Sequence, residues 1–237
     1  MPPNQYISHI KLVFIHVPKT GGSFIEQNLK KLAEQYNEHR NMGSHYTINQ
    51  YILNTQIPEN FNEFIYFGVV RNPYDRIYSA YSMYVRNNWS GFNQITYKKL
   101  NKPNSFESFI KNLYELFKQN KLPWQNCENS HLDIVGSSSI DFSVHVAPQF
   151  VYFINHNNEL ALEKENILKY ESLDKDLNAF LNNNYKDNVK VYDFFQTNII
   201  KNVRIKQSYN IPTTYPHLSR MIQEIYEKDF VLFNYQK

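Results

Sequence analysis

The sequence predicts an α/β fold with a central, mainly parallel sheet, and two observations carry that prediction. Two near-continuous apolar runs, Lys11–Val17 and Phe64–Val70, have the length and composition of strands covered on both faces. Each is closed by a turn signal, Pro18 to Gly22 after the first and Arg71-Asn72-Pro73 after the second, and each is followed by a helical pattern. Strand, turn and helix repeated in this order build a parallel sheet. The length of 237 residues suits one domain, 1–237, and the 42% of hydrophobic residues suffices for a buried core, which argues against a disordered or fibrous chain.

In order, the first strand gives way to Ser23, which with Glu26 three residues on reads as a capping box opening a helix to about Tyr36. A polar connection follows, with a short helix expected over Thr47 to Asn54. The second strand leads into a helix from Tyr74 to Val85, and Phe106, Phe109, Ile110, Leu113, Leu116 and Phe117 recur at helical spacing. Ile167 to Tyr170 reads as a further strand before a helix over Ser172 to Leu181, and Leu218 to Phe230 reads as one closing amphipathic helix.

Charge and cysteine usage narrow the function classes. Twenty-five Lys and Arg against 22 Asp and Glu leave a formal charge of +3, too little for a dedicated nucleic-acid binder, so any anion site is local. The lone cysteine, Cys127, cannot form an intrachain disulfide, which fits a reducing compartment. No apolar run approaches the roughly 18 residues of a membrane-spanning helix. The first residues lack the pattern of a secretory signal, so the chain as given is expected to be cytoplasmic.

Two strand ends carry the chemistry. Pro18-Lys19-Thr20-Gly21-Gly22-Ser23 puts a lysine, two hydroxyls and a glycine pair at a strand-to-helix turn. Glycines let backbone N–H groups converge on an oxyanion, and the helix N-terminus and Lys19 add positive charge. The lysine precedes the glycines, so this is not a Walker A loop, and no G-x-G-x-x-G is present. At the second strand end, Arg71 stands at the carboxyl edge of the sheet, where open α/β sheets bind ligands, and Ser79 follows within the next helix. Asp75 is expected to answer that helix's dipole and Arg76 to be solvated. His16 is expected to pack against its strand neighbours.

Taken together, the loop at 18–23 and the run Arg71-Asn72-Pro73-Tyr74-Asp75-Arg76 to Ser79-Ala80-Tyr81 resemble the 5′-phosphosulfate loop and the 3′-phosphate motif of sulfotransferases. The branch they are most similar to is the carbohydrate, heparan-sulfate 2-O-like group. The resemblance continues at Ser44-His45-Tyr46-Thr47, Pro148-Gln149, Ile167 to Leu173 and Ile225 to Phe230. Ser23 stands where threonine is usual, and Lys169 where an arginine often precedes the aromatic-acid pair. The stretch from Trp89 to Val144 carries no such likeness, and acceptor contacts are expected there.

The resemblance implies a P-loop-NTPase-like three-layer α/β/α fold and in-line transfer of a sulfuryl group from 3′-phosphoadenosine 5′-phosphosulfate (PAPS) to an acceptor hydroxyl, on a saccharide or glycolipid. It assigns Lys19, Thr20, Gly21, Gly22, Ser23 and Phe24 to the 5′ side of the donor, and Arg71 and Ser79 to its 3′-phosphate. By the same resemblance Lys19 also stabilises the leaving oxygen, and His45 is the base that takes the hydroxyl proton. His145 is a second candidate base or acceptor contact, and Arg204, Lys206 and Ser208 are candidates for a loop over the nucleotide. No metal is expected, since no His/Asp/Glu set has ligand spacing. A nucleotide or small-molecule kinase and a non-catalytic nucleotide or glycan binder are the competing readings, the first disfavoured by the order of the lysine and glycines.

Overall fold

The computed structural model describes residues 6–38, 45–52, 63–88, 93–125, 143–155, 157–202 and 208–237. They belong to two compact units, Met1–Arg71 with Tyr152–Lys206, and Asn72–Val151 with Gln207–Lys237.

The first unit holds a mixed sheet in the order β1 (Tyr6–Ile7), β2 (Leu12–Ile15), β3 (Ile65–Val70) and β4 (Ile167–Lys169). β1 runs antiparallel to β2, while β2, β3 and β4 are parallel. The apolar runs form the strands expected of them, and every residue of β2 is buried, as a strand covered on both faces requires. β1 was not legible in sequence, because two residues carry no periodicity. The register pairs Ile15 with Gly68 and Val70 with Lys169. The carboxyl ends of the three parallel strands therefore open at one sheet edge, with His16, Arg71 and Tyr170 each the first residue beyond its strand.

Helix α1 (Gly22–Glu34) lays Ile25, Leu29, Leu32 and Ala33 on the sheet. That spacing of four, three and one keeps the four side chains on a single helix face. They join Phe14, Phe67 and Leu168 from the strands and Leu177, Phe180 and Leu181 from the helix Leu173–Asn184 in one core. Burying a Leu or Ile side chain of this kind contributes about 1.5–3 kcal/mol, so this face fixes where the N-terminus of α1 stands. The expected capping box is absent: the helix begins at Gly22, its N-cap is Gly21, and no side chain caps it. The short helix expected after the polar connection is α2 (Ile48–Ile52); residues 53–54 lie outside the described residues.

The second unit is helical. It contains α3 (Pro73–Arg86), capped by the Asn72 side chain accepting from the Tyr74 N–H, α4 (Asn93–Lys99), and α5 (Phe106–Lys118), whose N-terminus carries a true capping box between Ser105 and Ser108. The closing helix is two helices, Pro216–Ile225 and Glu227–Leu232, because Tyr226 leaves helical geometry at φ −112°, ψ 24°. The cause is long-range bonding to residues 146–150. The Tyr226 hydroxyl donates to the Val146 carbonyl, and buried Asp229 accepts from the N–H groups of Gln149 and Phe150. Arg76 serves the same segment: it is 1% exposed and donates to the Ala147 carbonyl at 2.8 Å, which corrects the expectation of a solvated arginine. No helix among the described residues is long and apolar enough to cross a membrane.

Candidate functional site

The loop from Pro18 to Gly21 is bent by two left-handed residues, Lys19 at φ 71° and Gly21 at φ 85°. For a lysine that conformation is strained, and such strain persists only where surrounding contacts impose it. Two contacts do so. The Thr20 hydroxyl, fully buried, donates to the Val17 carbonyl at 2.8 Å and closes a tight turn. Arg71 donates from Nη1 to the Lys19 carbonyl at 3.4 Å. Thr20 thus contributes its side chain to the loop's shape, whereas the Ser23 side chain is exposed in the first turn of α1. That first turn carries no acidic residue, so the partial positive charge of the helix end is not offset there.

Gly21 and Gly22 are needed for different reasons. A side chain on Gly21 would be strained by its positive φ and would stand 3.0 Å from the Tyr170 ring. Gly22 has no such conformation; there a Cβ would run into the imidazole of His16. His16 is buried, with Nδ1 at 2.8 Å from Glu26 Oε1, so the acidic residue read as half of a capping box instead faces a histidine. The spacing of Gly22 and Glu26, one helical turn apart, puts both on that ring.

His45 stands over the same ring, with centroids 4.4 Å apart and planes at 67°. Its Nδ1 lies 3.2 Å from the His16 carbonyl oxygen. A carbonyl only accepts, so Nδ1 carries the proton, and in the neutral ring Nε2 is the basic nitrogen.

Arg71 and Tyr170 meet because Val70 and Lys169 are register partners. The guanidinium carbon sits 4.6 Å from the Tyr170 ring centroid, and Arg71 is 3% exposed. A cleft of about 520 Å³ opens beside the loop, lined by Gly21, Phe24, Asn28, Tyr170, Asn198 and Asn202 among others. The side-chain amide groups of the three asparagines donate to helix carbonyls, which leaves their Oδ1 atoms as acceptors.

The first unit therefore gathers Lys19, Thr20, Gly21, Gly22, Ser23, Phe24, His45 and Arg71. Ser79 is half-buried in α3 of the second unit. His145 is also in the second unit, its ring edge-on to Tyr84 and its carbonyl 3.5 Å from Arg76 Nη2. Ser44, Arg204 and Lys206 lie outside the described residues, while Ser208 donates to Asp75, which also accepts the Tyr209 N–H. Asp75 thus holds a neighbouring segment besides standing in the first turn of α3. Reading residues singly passed over Tyr170 and the three asparagines as site residues; Tyr170 had a signal in its place directly after a strand of the sheet. Among the described residues no group of three or more His, Cys, Asp or Glu could hold a metal ion.

Comparison with curated proteins and with solved structures finds no significant match. A family model described as "Sulfotransferase family" matches residues 6–236. That span takes in the bent loop, both strand ends and the closing helices, and the chain belongs to the sulfotransferase family.

Proposed function

We propose that this protein transfers the sulfuryl group of PAPS to a hydroxyl of a saccharide or glycolipid acceptor, by in-line displacement with His45 as the base and as one catalytic domain over 1–237. The observation that supports this most is the loop itself: a strained lysine and a left-handed glycine at the head of a helix with no acidic first turn, in a chain of this family. Such a loop fits a phosphate-type oxyanion, because a glycine turn at a helix N-terminus offers backbone N–H groups and the lysine adds a cation.

When bound, the donor supplies the group to be transferred. The N–H groups of Gly21, Gly22 and Ser23 hold its 5′-phosphate. The Lys19 ammonium answers the negative charge that develops on the leaving oxygen, an interaction stronger in the transition state than before it. His45 Nε2 takes the acceptor proton as the new bond forms. The Arg71 guanidinium, braced by Tyr170, binds the 3′-phosphate as a planar fork. Ser79 is assigned to that phosphate by the resemblance alone. The cleft beside Phe24 and Tyr170 suits a purine, with aromatic carbon for its faces and amide oxygens for an exocyclic amine.

Titration calorimetry with 3′-phosphoadenosine 5′-phosphate, against AMP and ATP, tests the reading without knowledge of the acceptor. Saturable binding that collapses without the 3′-phosphate is the expected result. Equal binding of all three nucleotides, or of none, would contradict it.

A further inference from the structure

We propose that His16 is a positioning residue that sets the tautomer and orientation of His45, an inference that rests on the reading of His45 as the base. Three contacts converge on this one buried ring. Glu26 faces its Nδ1 at 2.8 Å, its Cδ2 and Nε2 edge takes the space that a Cβ on Gly22 would fill, and His45 meets it edge to face at 4.4 Å. Phe14 stacks on it at 5.7 Å and 21°. The ring is therefore wedged between strand β2, helix α1 and the segment carrying His45.

The backbone of the same residue does the other half of the work. Its carbonyl receives the His45 Nδ1–H, so the nitrogen left basic is Nε2. A single hydrogen bond at 3.2 Å does not hold an imidazole in one rotamer; a packed neighbour does. With the ring of residue 16 in place, the His45 ring has an edge to rest on while its Nδ1–H reaches the carbonyl. Without it, a space opens into which His45 can turn, and the hydrogen bond that selects the tautomer is lost.

The composition of the wedge supports a functional reason for it. A buried imidazole and a buried carboxylate (4% and 9% side-chain exposure) are costly to desolvate, and an apolar pair of the same volume would pack at no such cost. Gly22 adds a further cost in chain entropy, since its φ does not require glycine and only the ring excludes a side chain there. Positions 22 and 26 are thus restricted by one ring that also meets His45 edge to face.

The test is long-range ¹H–¹⁵N correlation NMR of the histidine side chains in the full chain at alkaline pH. In the wild type His45 is expected as the Nδ1–H tautomer alone. In His16→Ala it becomes a mixture of both tautomers while affinity for 3′-phosphoadenosine 5′-phosphate is retained. Glu26→Ala, which removes the side chain that faces the ring and lets it turn, is expected to give the same change in milder form and serves if His16→Ala does not fold. Gly22→Ala lowers the melting temperature, and adding His16→Ala to it recovers the temperature but not the single tautomer. A single Nδ1–H tautomer persisting in both His16→Ala and Glu26→Ala would overturn the proposal. Loss of the single tautomer together with full turnover by His45→Ala would leave the positioning in place and remove the base reading instead.

Discussion

The guanidinium of Arg71 sits over Tyr170, its central carbon 4.6 Å from the ring centroid, and from there Nη1 reaches the Lys19 carbonyl. One arginine thus ties the ends of β3 and β4 to the loop after β2. If this stacking pre-sets the arginine for an anion, Tyr170→Phe should bind 3′-phosphoadenosine 5′-phosphate like the wild type. Tyr170→Ala should bind it about tenfold more weakly, the loss of roughly 1–2 kcal/mol expected of a desolvated cation–π contact. Calorimetry on the two variants decides this, and equal affinities would remove Tyr170 from the site.

Lys19 and Arg71 are expected to fail differently. Lys19→Ala should lower kcat by two orders of magnitude or more, as removal of one oxyanion-type donor does, with a smaller loss of donor affinity. Arg71→Ala should act mainly on donor affinity. Steady-state kinetics on both variants, with donor varied, separates the two, and the same split in both would contradict the roles assigned.

Thr20→Val keeps the volume of a buried side chain and deletes its bond to the Val17 carbonyl. The expected loss is about 1–2 kcal/mol of stability, read as a lower urea midpoint. Thr20→Ser, which restores the hydroxyl, should recover most of it. No difference between the two variants would show that the turn holds Lys19 in its left-handed conformation by other means.

Asp229 predicts a pH dependence. Burial raises its pKa from 3.8 to about 6, with Arg76 and the N–H groups of Gln149 and Phe150 pulling the other way. The folded carboxyl thus keeps its proton at a pH where the unfolded one has lost it. As pH rises from about 4 to about 6 the contribution of this group to stability falls, and above that it is constant. Asp229→Asn should remove that slope from urea unfolding series across the interval. An unchanged slope in the variant would place the titration elsewhere.

What could be read from the chain alone was whatever depends on neighbours in sequence. β2 and β3 follow from near-continuous apolar runs, α5 from the spacing of Phe106, Phe109 and Leu113, and the loop at Lys19 to Ser23 from its residue types. The tertiary structure decided what depends on partners far along the chain. Ser23 and Glu26 have the spacing of a capping box, but Gly21 takes the left-handed N-cap position and Glu26 turns to buried His16. Leu218 to Phe230 has the periodicity of one helix, yet it breaks where Tyr226 and Asp229 bond to residues 146–150, some eighty positions away. Arg76 looks like a surface charge until the Ala147 carbonyl is brought to it. Apolar periodicity records which face is buried and local residue types record which turns are allowed, but a buried polar group is stable only beside its partner, and only the fold determines which partner arrives.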